Sequence, residues 1–572
     1  MSEKSWKVLK YILIIGSVLA ALKIIFVDYT LDEEYQIVMA YRYLNGDHLF
    51  KQMWEPHQTS AFLCAGLLWL YSKVTGTYTG VVLFLRIMTT IVQVALTHAV
   101  YRTIVKKIEK DYAFLLALLF FNITPKIIQI PEFSNMQLWF LVIPVLLIMK
   151  YYDDREKDRW YLLIPAGISL ACEVLTYPTC IILFPFFAFY LWKKSGKHRW
   201  RDIGVLTVTC AVCAGIWLLM VFQHISLEEF LANVTNLLSF DPTHHISGMT
   251  DAKGKNYIDS LIIWSFWCAV ISIVSGVICF VLHLVFRKKE IQPEKKAWWL
   301  MFWVIAVVIS EFVQLYYWVI LRIGYEYLQM HLLILWIGML ATWHLADENR
   351  KYFIWGIVAT IIAYVGVIYI SDLALYYTLP HGGLGLVFAV AVMILALQNI
   401  MKDKARPWIL LLVVSLILCS MGGKAFTLRG GKSDNSILSV GGIMKDGPAA
   451  GIFAEYMNAY IYNCNYEDYA QYVQEGDNVL IVANMIMSAG TTPYMFENVN
   501  VSHFSIVDPT TYDEKLLTYW ELYPEKAPDV IVVDCWYGSL MENPESWIMK
   551  YIENDFGYTS VNDGRYARFY RR

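Results

Sequence analysis

Of the 572 residues, 58% are hydrophobic and 16% aromatic while only 17% are charged, and the mean hydropathy is +0.46. That balance excludes an ordinary soluble globule, in which roughly a quarter of the residues carry charge. A formal net charge of -3, with Lys and Arg scattered in short clusters between apolar runs, excludes a nucleic-acid partner, which would need one basic face.

In chain order, apolar runs mostly about 16 to 25 residues long begin with Tyr11 to Val27. They continue at Tyr78 to Val105, Tyr112 to Ile130, Asn135 to Tyr151, Trp160 to Tyr177, Cys180 to Trp192 and Ile203 to Phe222. Then come Ile258 to Phe286, Ala297 to Leu321, Ile323 to His344, Phe353 to Ile370, Gly383 to Ile400 and Trp408 to Met421, thirteen spans in all. The fold expected is a polytopic α-helical membrane protein. Every second connection is basic: Lys4, Lys7 and Lys10; Lys106, Lys107 and Lys110; Arg155, Lys157 and Arg159; and the clusters 193–201, 287–296, 350–351 and 402–406. By the positive-inside rule these are cytoplasmic, so the N-terminus is cytoplasmic too. The first loop, the loop from Gln223 to Tyr257 and the tail after Gly422 then lie outside, as in a multi-pass plasma-membrane protein of bacterial style. The first run lacks a small-residue cleavage site and is followed by further spans, so it reads as an anchor.

Most of the ten cysteines lie in or beside apolar runs. Cys210 and Cys213 form a C-x-x-C inside the small-residue run Val208 to Gly215, where close helix packing explains them better than metal does. Cys464 and Cys535 alone fall in the external tail, where a disulfide between them is one option.

The first external loop carries the acidic cluster Leu31-Asp32-Glu33-Glu34-Tyr35. Thr30 as N-cap and Glu33 three residues on make a capping box, and the helix stops at Asn45-Gly46. Ile37, Tyr41 and Leu44 share a face, the pattern of a helix lying flat on the membrane. After Glu55-Pro56-His57-Gln58, the apolar run Thr59 to Tyr71 is too short to span and ends near Gly76, a second interfacial helix. Two readings of the carboxylates stand. One is dipole complementarity in a first helical turn. The other is chemistry: a carboxylate beside the membrane can take the proton of an acceptor hydroxyl, and partial desolvation raises its basicity.

An N-terminal anchor, Asp-Glu opening an interfacial helix, the Gly46-Asp47 turn, the Glu55-Pro56 element and Arg86 in the second span together resemble the GT-C membrane glycosyltransferases. The branch is similar to the protein O-mannosyltransferases and lipid A aminoarabinose transferases. The resemblance covers the first two hundred residues best, including the turn at Ala171 to Pro178, and extends to the external tail. It implies transfer of a sugar, usually with inversion, from a polyprenyl-phosphate carrier to a glycan, lipid or protein acceptor at the outer face. It also implies Asp32 as the catalytic base. Relatives commonly show Lys-Pro-Pro where this chain has Glu55-Pro56-His57, so another cation must meet the carrier phosphate. Where relatives often place a second Asp, this chain has Asn135, with Glu132 the nearest carboxylate; an amide positions a hydroxyl but takes no proton.

Arg86 and Lys23 are candidates to hold a lipid phosphate, against an ion pair of Arg86 with Glu173 or Glu311 and simple snorkelling of Lys23. Arg322 and Tyr325 belong to a late aromatic and polar group, which an aromatic belt also explains, and the resemblance makes Arg322 a second phosphate candidate. Substrate contacts are therefore expected at Glu33, Glu55, His57, Arg86, Glu132, Asn135, Arg322 and Tyr325. No cofactor is indicated beyond a divalent cation at His57, His244 and His245 with Asp241, residues that solvation alone also explains.

The chain divides into a membrane domain (1–424), a linker (425–450) and a small α/β domain (451–572), with strands at Asn478 to Ala483, Asp529 to Asp534 and Arg565 to Tyr570 and a helix at Tyr512 to Leu522. Gly431-Lys432-Ser433 lacks the first glycine and the strand of a phosphate loop. Tyr494, Phe496, Trp520, Trp536 and Tyr537 suit either sugar stacking or a core. The rival readings are a polysaccharide polymerase or ligase, whose paired loop arginines are missing from Gln223 to Tyr257, and a lipid-glycan transporter, whose inverted repeats are not seen.

Overall fold

The computed structural model describes residues 3–29, 31–55, 57–124, 129–153, 157–240, 251–288, 294–319, 330–370, 382–428, 437–482, 499–502, 515–534 and 545–572. Helices α1 (Glu3–Phe26), α2 (Leu31–Leu44), α3 (Gln58–Thr75), α4 (Val81–Ile104), α5 (Lys110–Asn122), α6 (Phe133–Asp153), α7 (Leu163–Thr176), α8 (Leu183–Lys194) and α9 (Arg199–Phe222) build the first half. The second half of the bundle is α10 (Leu227–Phe240), α11 (Asp251–Lys288), α12 (Lys295–Val319), α13 (Met330–Ala341), α14 (Asp347–Ile370), α15 (Gly383–Met401) and α16 (Arg406–Phe426).

Each of the thirteen expected runs contains a helix among the described residues. Among the described residues nine helices are long and apolar enough to cross a membrane; α5, α7, α8 and α13 are shorter. The protein is a multi-pass membrane protein. Helix α5 stops at Asn122, short of the expected Ile130, and 125–128, with Pro125, lie outside the described residues. Helix α15 forms the centre of the bundle, buried from Gly383 to Leu397. Its neighbours come close because small residues face it: a Cβ on Gly338 would lie 2.3 Å from that of Ala389, and one on Gly356 2.4 Å from the Phe388 ring. Helices α9 and α11 instead expose Val208, Val212, Ile216, Ile262, Phe266 and Ile273, side chains that suit a hydrocarbon solvent.

The C-terminal part holds a hairpin of β1 (Val440–Ile443) and β2 (Phe453–Glu455), then α17 (Tyr456–Tyr472), β3 (Asn478–Val482), β4 (Asn500–Val501), α18 (Lys515–Leu522), β5 (Val530–Asp534), α19 (Trp547–Asn554), β6 (Ser560–Asp563) and β7 (Ala567–Arg571). The sheet order is β4-β3-β5-β7-β6, with β3 parallel to β4 and β5, and β7 antiparallel to β5 and β6. The runs Asn478–Val482 and Val530–Asp534 are β-branched and covered on both faces, as central parallel strands require.

One expectation is corrected. Helix α2 does not lie flat on a membrane surface, because Ile37, Val38, Met39, Ala40 and Tyr41 are all buried. Tyr41 donates to the Val499 carbonyl at 2.8 Å and sits edge-on to Tyr78, so the tail roofs this helix. Helix α3 exposes Trp69, Leu70 and Val74. Backbone bonds from Asp28 N–H to the Phe453 carbonyl (2.7 Å) and from Gly80 N–H to the Gly447 carbonyl (3.0 Å) fasten the hairpin to both ends of the same loop.

Candidate active site

The first loop returns α2 to the point where α1 ends, and Arg86 of α4 joins them. Its Nε and Nη2 donate to the two carboxylate oxygens of Glu33 at 2.9 and 2.7 Å. Nη1 donates to the Ile24 and Ile25 carbonyls, both at 3.0 Å, and Nη2 to that of Asp28 at 2.6 Å. The guanidinium thus serves carbonyls that the end of α1 leaves without helical partners, while Glu33 neutralises it. An ion pair was one of the two expectations for Arg86, but its partner is Glu33, whereas Glu173 accepts from Gln137 at 2.7 Å. Asp32 stands next to Glu33 in the first turn of α2; its side chain lies outside the described residues, as does Thr30 of the expected capping box. Because the pair is almost fully buried, removing either partner leaves a stranded charge at a cost of roughly 3 to 5 kcal/mol. Glu33→Gln and Arg86→Met are each expected to lower the melting temperature, and the double variant to lose less than the sum. Strict additivity in thermal melts would contradict this coupling.

The far end of α2 is held by a second ionic network. Arg42 donates from Nε to Asp47 at 2.7 Å and from Nη2 to the Gln52 carbonyl at 2.8 Å, and it also pairs with Glu55. The turn that brings Asp47 back passes through Gly46 at φ +100°, a conformation that suits glycine. From the tail, Lys526 reaches Asp47 at 2.9 and 3.1 Å, and Tyr519 donates to the Gln52 carbonyl at 2.6 Å. Arg42, Asp47, Glu55 and Lys526 are all buried. Burial alone would raise the Asp47 carboxyl, yet Arg42 and Lys526 hold it below its ordinary value.

Beside this network His48 stacks on His224, ring centroids 3.6 Å apart, and Asn233 of α10 donates to the Phe50 carbonyl and the Tyr523 hydroxyl at 2.8 and 2.9 Å. Burial, then His224 and Lys51, lower His48 below its ordinary 6.5, with Asp47 opposing. Both His48 and Asp47 therefore bind fewer protons in the folded loop than in the unfolded chain. The loop fold is at full strength above about pH 6.5, weakens as His48 charges below that, and weakens again in the acid range of Asp47. Amide exchange at 45–55 is expected to quicken from pH 7 to pH 5 after correction for intrinsic rates; an unchanged corrected rate would contradict the linkage.

His57 sits at φ +63° at the start of α3. Its ring stacks on Phe133 at 3.9 Å, meets Tyr177 edge-on at 5.1 Å, and places Nδ1 3.4 Å from the Thr176 carbonyl. Thr59 adds a bond to the Leu175 carbonyl at 2.6 Å. Three loops, at 55–59, 130–135 and 175–178, therefore meet around one imidazole. Glu132 accepts from the N–H groups of Ser134 and Asn135 at 2.9 and 2.8 Å and so caps α6, and Asn135 donates to the Ile130 carbonyl at 2.8 Å. Glu55 is committed to Arg42 at the far end of α2, His57 packs on Phe133 beside the loop that carries Glu132 and Asn135, and Glu33 and Arg86 pair at the start of α2. Arg322, Tyr325, Asp241, His244, His245, Cys535, Tyr494, Phe496, Trp536, Tyr537 and Gly431-Lys432-Ser433 lie outside the described residues. Trp520 packs in the tail's own core and donates to Ser502 at 3.0 Å. Among the described residues no three His, Cys, Asp or Glu side chains gather as metal ligands. Reading the sequence missed Asp47, Arg42 and Lys526, whose only local signal was the Gly46-Asp47 turn.

No family profile and no curated protein matches the chain. Solved structures do. ArnT from Cupriavidus metallidurans in the apo state is similar over 100% of this chain and 98% of its own, at 10% identity and a TM-score of 0.47. The Archaeoglobus fulgidus oligosaccharyltransferase in complex with Zn and sulfate is similar over 95% of this chain and 69% of its own, at 10% identity and a TM-score of 0.46. AglB of the same organism, with an inhibitory peptide and a dolichol-phosphate, covers 96% of this chain and 71% of its own at 11% identity, again with a TM-score of 0.46.

Proposed function

We propose that this chain is a GT-C glycosyltransferase that moves a hexosyl or pentosyl unit from a polyprenyl-phosphate carrier to a hydroxyl of a glycan, lipid or protein acceptor at the outer face of a membrane. The observation that carries the reading is the bidentate Glu33–Arg86 pair, which fixes the first turn of α2 against the end of α1. Glu33 is thereby committed to Arg86, and Asp32 is the neighbouring carboxylate assigned to the chemistry. Asp32 takes the acceptor proton as the hydroxyl oxygen attacks the anomeric carbon, and the bond from that carbon to the carrier phosphate breaks with its electrons leaving on phosphate. A single displacement of this kind inverts the anomeric centre.

Arg86 has Glu33 and the carbonyls of Ile24, Ile25, Val27 and Asp28 to serve, so a different cation meets the departing phosphate, with Arg322 one candidate. Glu55, His57, Glu132 and Asn135 are assigned to the acceptor side, with Tyr325 a further candidate for it, and positioning there supplies much of the rate. A divalent cation at the loop histidines would add charge there and is no premise of the mechanism. Residues 1–424 carry the reaction, 425–450 link, and 451–572 brace the first loop through Lys526 and Tyr519. The test is purified protein in lipid, offered a panel of polyprenyl-phosphate sugars with a cell-envelope acceptor extract. Acceptor-dependent release of polyprenyl phosphate is expected from at least one donor, and no release from any would contradict the proposal.

A further inference from the structure

One face of α1 stays apolar and exposed to its last turn. Tyr11, Ile15, Leu19, Leu22 and Phe26 lie along it, as on the lipid side of a spanning helix. Val27, the next residue, pairs with Phe453 of β2 in a single bridge, and the Asp28 N–H donates to the Phe453 carbonyl at 2.7 Å. These contacts fix the height of the hairpin. Phe453 belongs to the C-terminal part of the chain, yet it sits level with the end of a membrane span, where hydrocarbon gives way to headgroups.

The surface around Phe453 is aromatic and apolar. Ile443 of β1 is its direct cross-strand partner, so the two side chains share a face of the hairpin, and both are exposed. Helix α17 follows at once, with Tyr456, 60% exposed, Met457 and Tyr460 on one face of its first two turns. The rings of Tyr456 and Tyr460 are parallel to within 4°, with centroids 6.2 Å apart, and Tyr566 meets Tyr460 edge-on at 6.0 Å. Further along α17 the exposed residues change character to Glu467, Ala470 and Gln471. A helix that faces water is polar along its whole outer side, as α19 is at Lys550, Glu553 and Asn554. Helix α17 departs from that pattern only at the end next to Phe453.

An exposed apolar patch marks a contact surface, and tyrosine, with an apolar body and a polar tip, favours the boundary between hydrocarbon and water. Lipid, a second copy of the chain and a sugar all suit exposed tyrosines. Continuity with the outward face of α1 selects lipid, and Ile443, Phe453 and Met457 offer a sugar no side-chain hydrogen bond. We propose that Ile443, Phe453, Tyr456, Met457 and Tyr460 form a lipid-docking edge, by which the C-terminal sheet domain rests in the interfacial layer of the bilayer on the side of the first loop. The domain is then held at two edges. Lys526 and Tyr519 grip the first loop, while the hairpin and the start of α17 grip the membrane. This docking needs no glycosyl transfer, only a bilayer around α1.

The experiment places p-benzoylphenylalanine at Tyr456, at Tyr460 or, as a control facing water, at Glu553 of the full-length protein, in phosphatidylcholine nanodiscs loaded with one or two copies. Adducts formed on illumination are read by mass. Phospholipid adducts are expected at 456 and 460 at about fivefold or more the yield at 553. With the probe at Phe453 instead, Tyr456→Glu combined with Tyr460→Glu is expected to cut the lipid adduct by a similar factor and to leave the melting temperature near that of wild type, because both side chains are exposed. Lipid adducts at 456 and 460 no more abundant than at 553 would overturn the proposal, as would an unchanged lipid adduct at 453 in the double variant. Adducts joining two copies in place of lipid would overturn it in favour of a dimer interface, and adducts to added dextran oligosaccharides in place of lipid would overturn it in favour of a sugar platform.

Discussion

Replacing Arg42 by methionine is expected to cost roughly 3 to 5 kcal/mol and to release the C-terminal sheet from the first loop. The substitution keeps most of the side-chain volume, so the loss is electrostatic. It strips Glu55, 0% exposed, of its cation and leaves Asp47 with Lys526 alone. Two buried carboxylates cannot both stay charged beside one ammonium, so the 45–55 turn opens and the Lys526 and Tyr519 contacts go with it. Lysine at position 42 should rescue only in part, because a single ammonium cannot hold Asp47, Glu55 and the Gln52 carbonyl in the planar fork that Arg42 uses. Limited proteolysis within 45–55 and 515–534, with thermal melts in detergent, checks this. Wild-type melting and protection in Arg42→Met would contradict a supporting role for the network.

The bundle was legible because spanning a bilayer demands long apolar runs and because basic clusters mark alternate loops, both of which one sequence displays. Helix ends were less so: the run after Asn122 stays apolar in composition while α5 stops there. The fate of α2 was not legible. Ile37 and Tyr41 announce an apolar face, but the same face suits lipid or protein, and the cover comes from Val499 and the tail, 458 residues further on. Lys526 and Asp47 are 479 residues apart, and the Gly46-Asp47 turn gives no sign of its distant partner. Arg86 was singled out correctly as needing a partner; distance along the chain favoured no carboxylate over another, and only the return of the loop selects Glu33. Lys424 escaped notice for a different reason. At the end of an apolar run it reads as a snorkelling lysine, whereas its bond to the Phe121 carbonyl of α5 shows that it is enclosed. In the tail, β3, β5 and β7 were visible as β-branched or aromatic runs, whereas the tyrosine-rich α17 has no clear helical stripe and was missed.

The second large effect is on rate. Asp32→Asn keeps the size and the hydrogen-bonding reach of the side chain while removing its ability to accept a proton, so it isolates chemistry from structure. A general base contributes about 10² to 10⁴-fold, and release of polyprenyl phosphate should fall by that factor with donor binding unchanged. Glu33→Gln, by contrast, should act through stability, since its carboxylate is bound to Arg86.

The measurement that tests the central claim most directly compares wild type with Asp32→Asn, both reconstituted in lipid and shown to melt alike, for acceptor-dependent release of polyprenyl phosphate from the best donor. The account predicts release by wild type and its near loss in the variant. Equal release by both would remove Asp32 as the base and turn attention to Glu132 and Glu55.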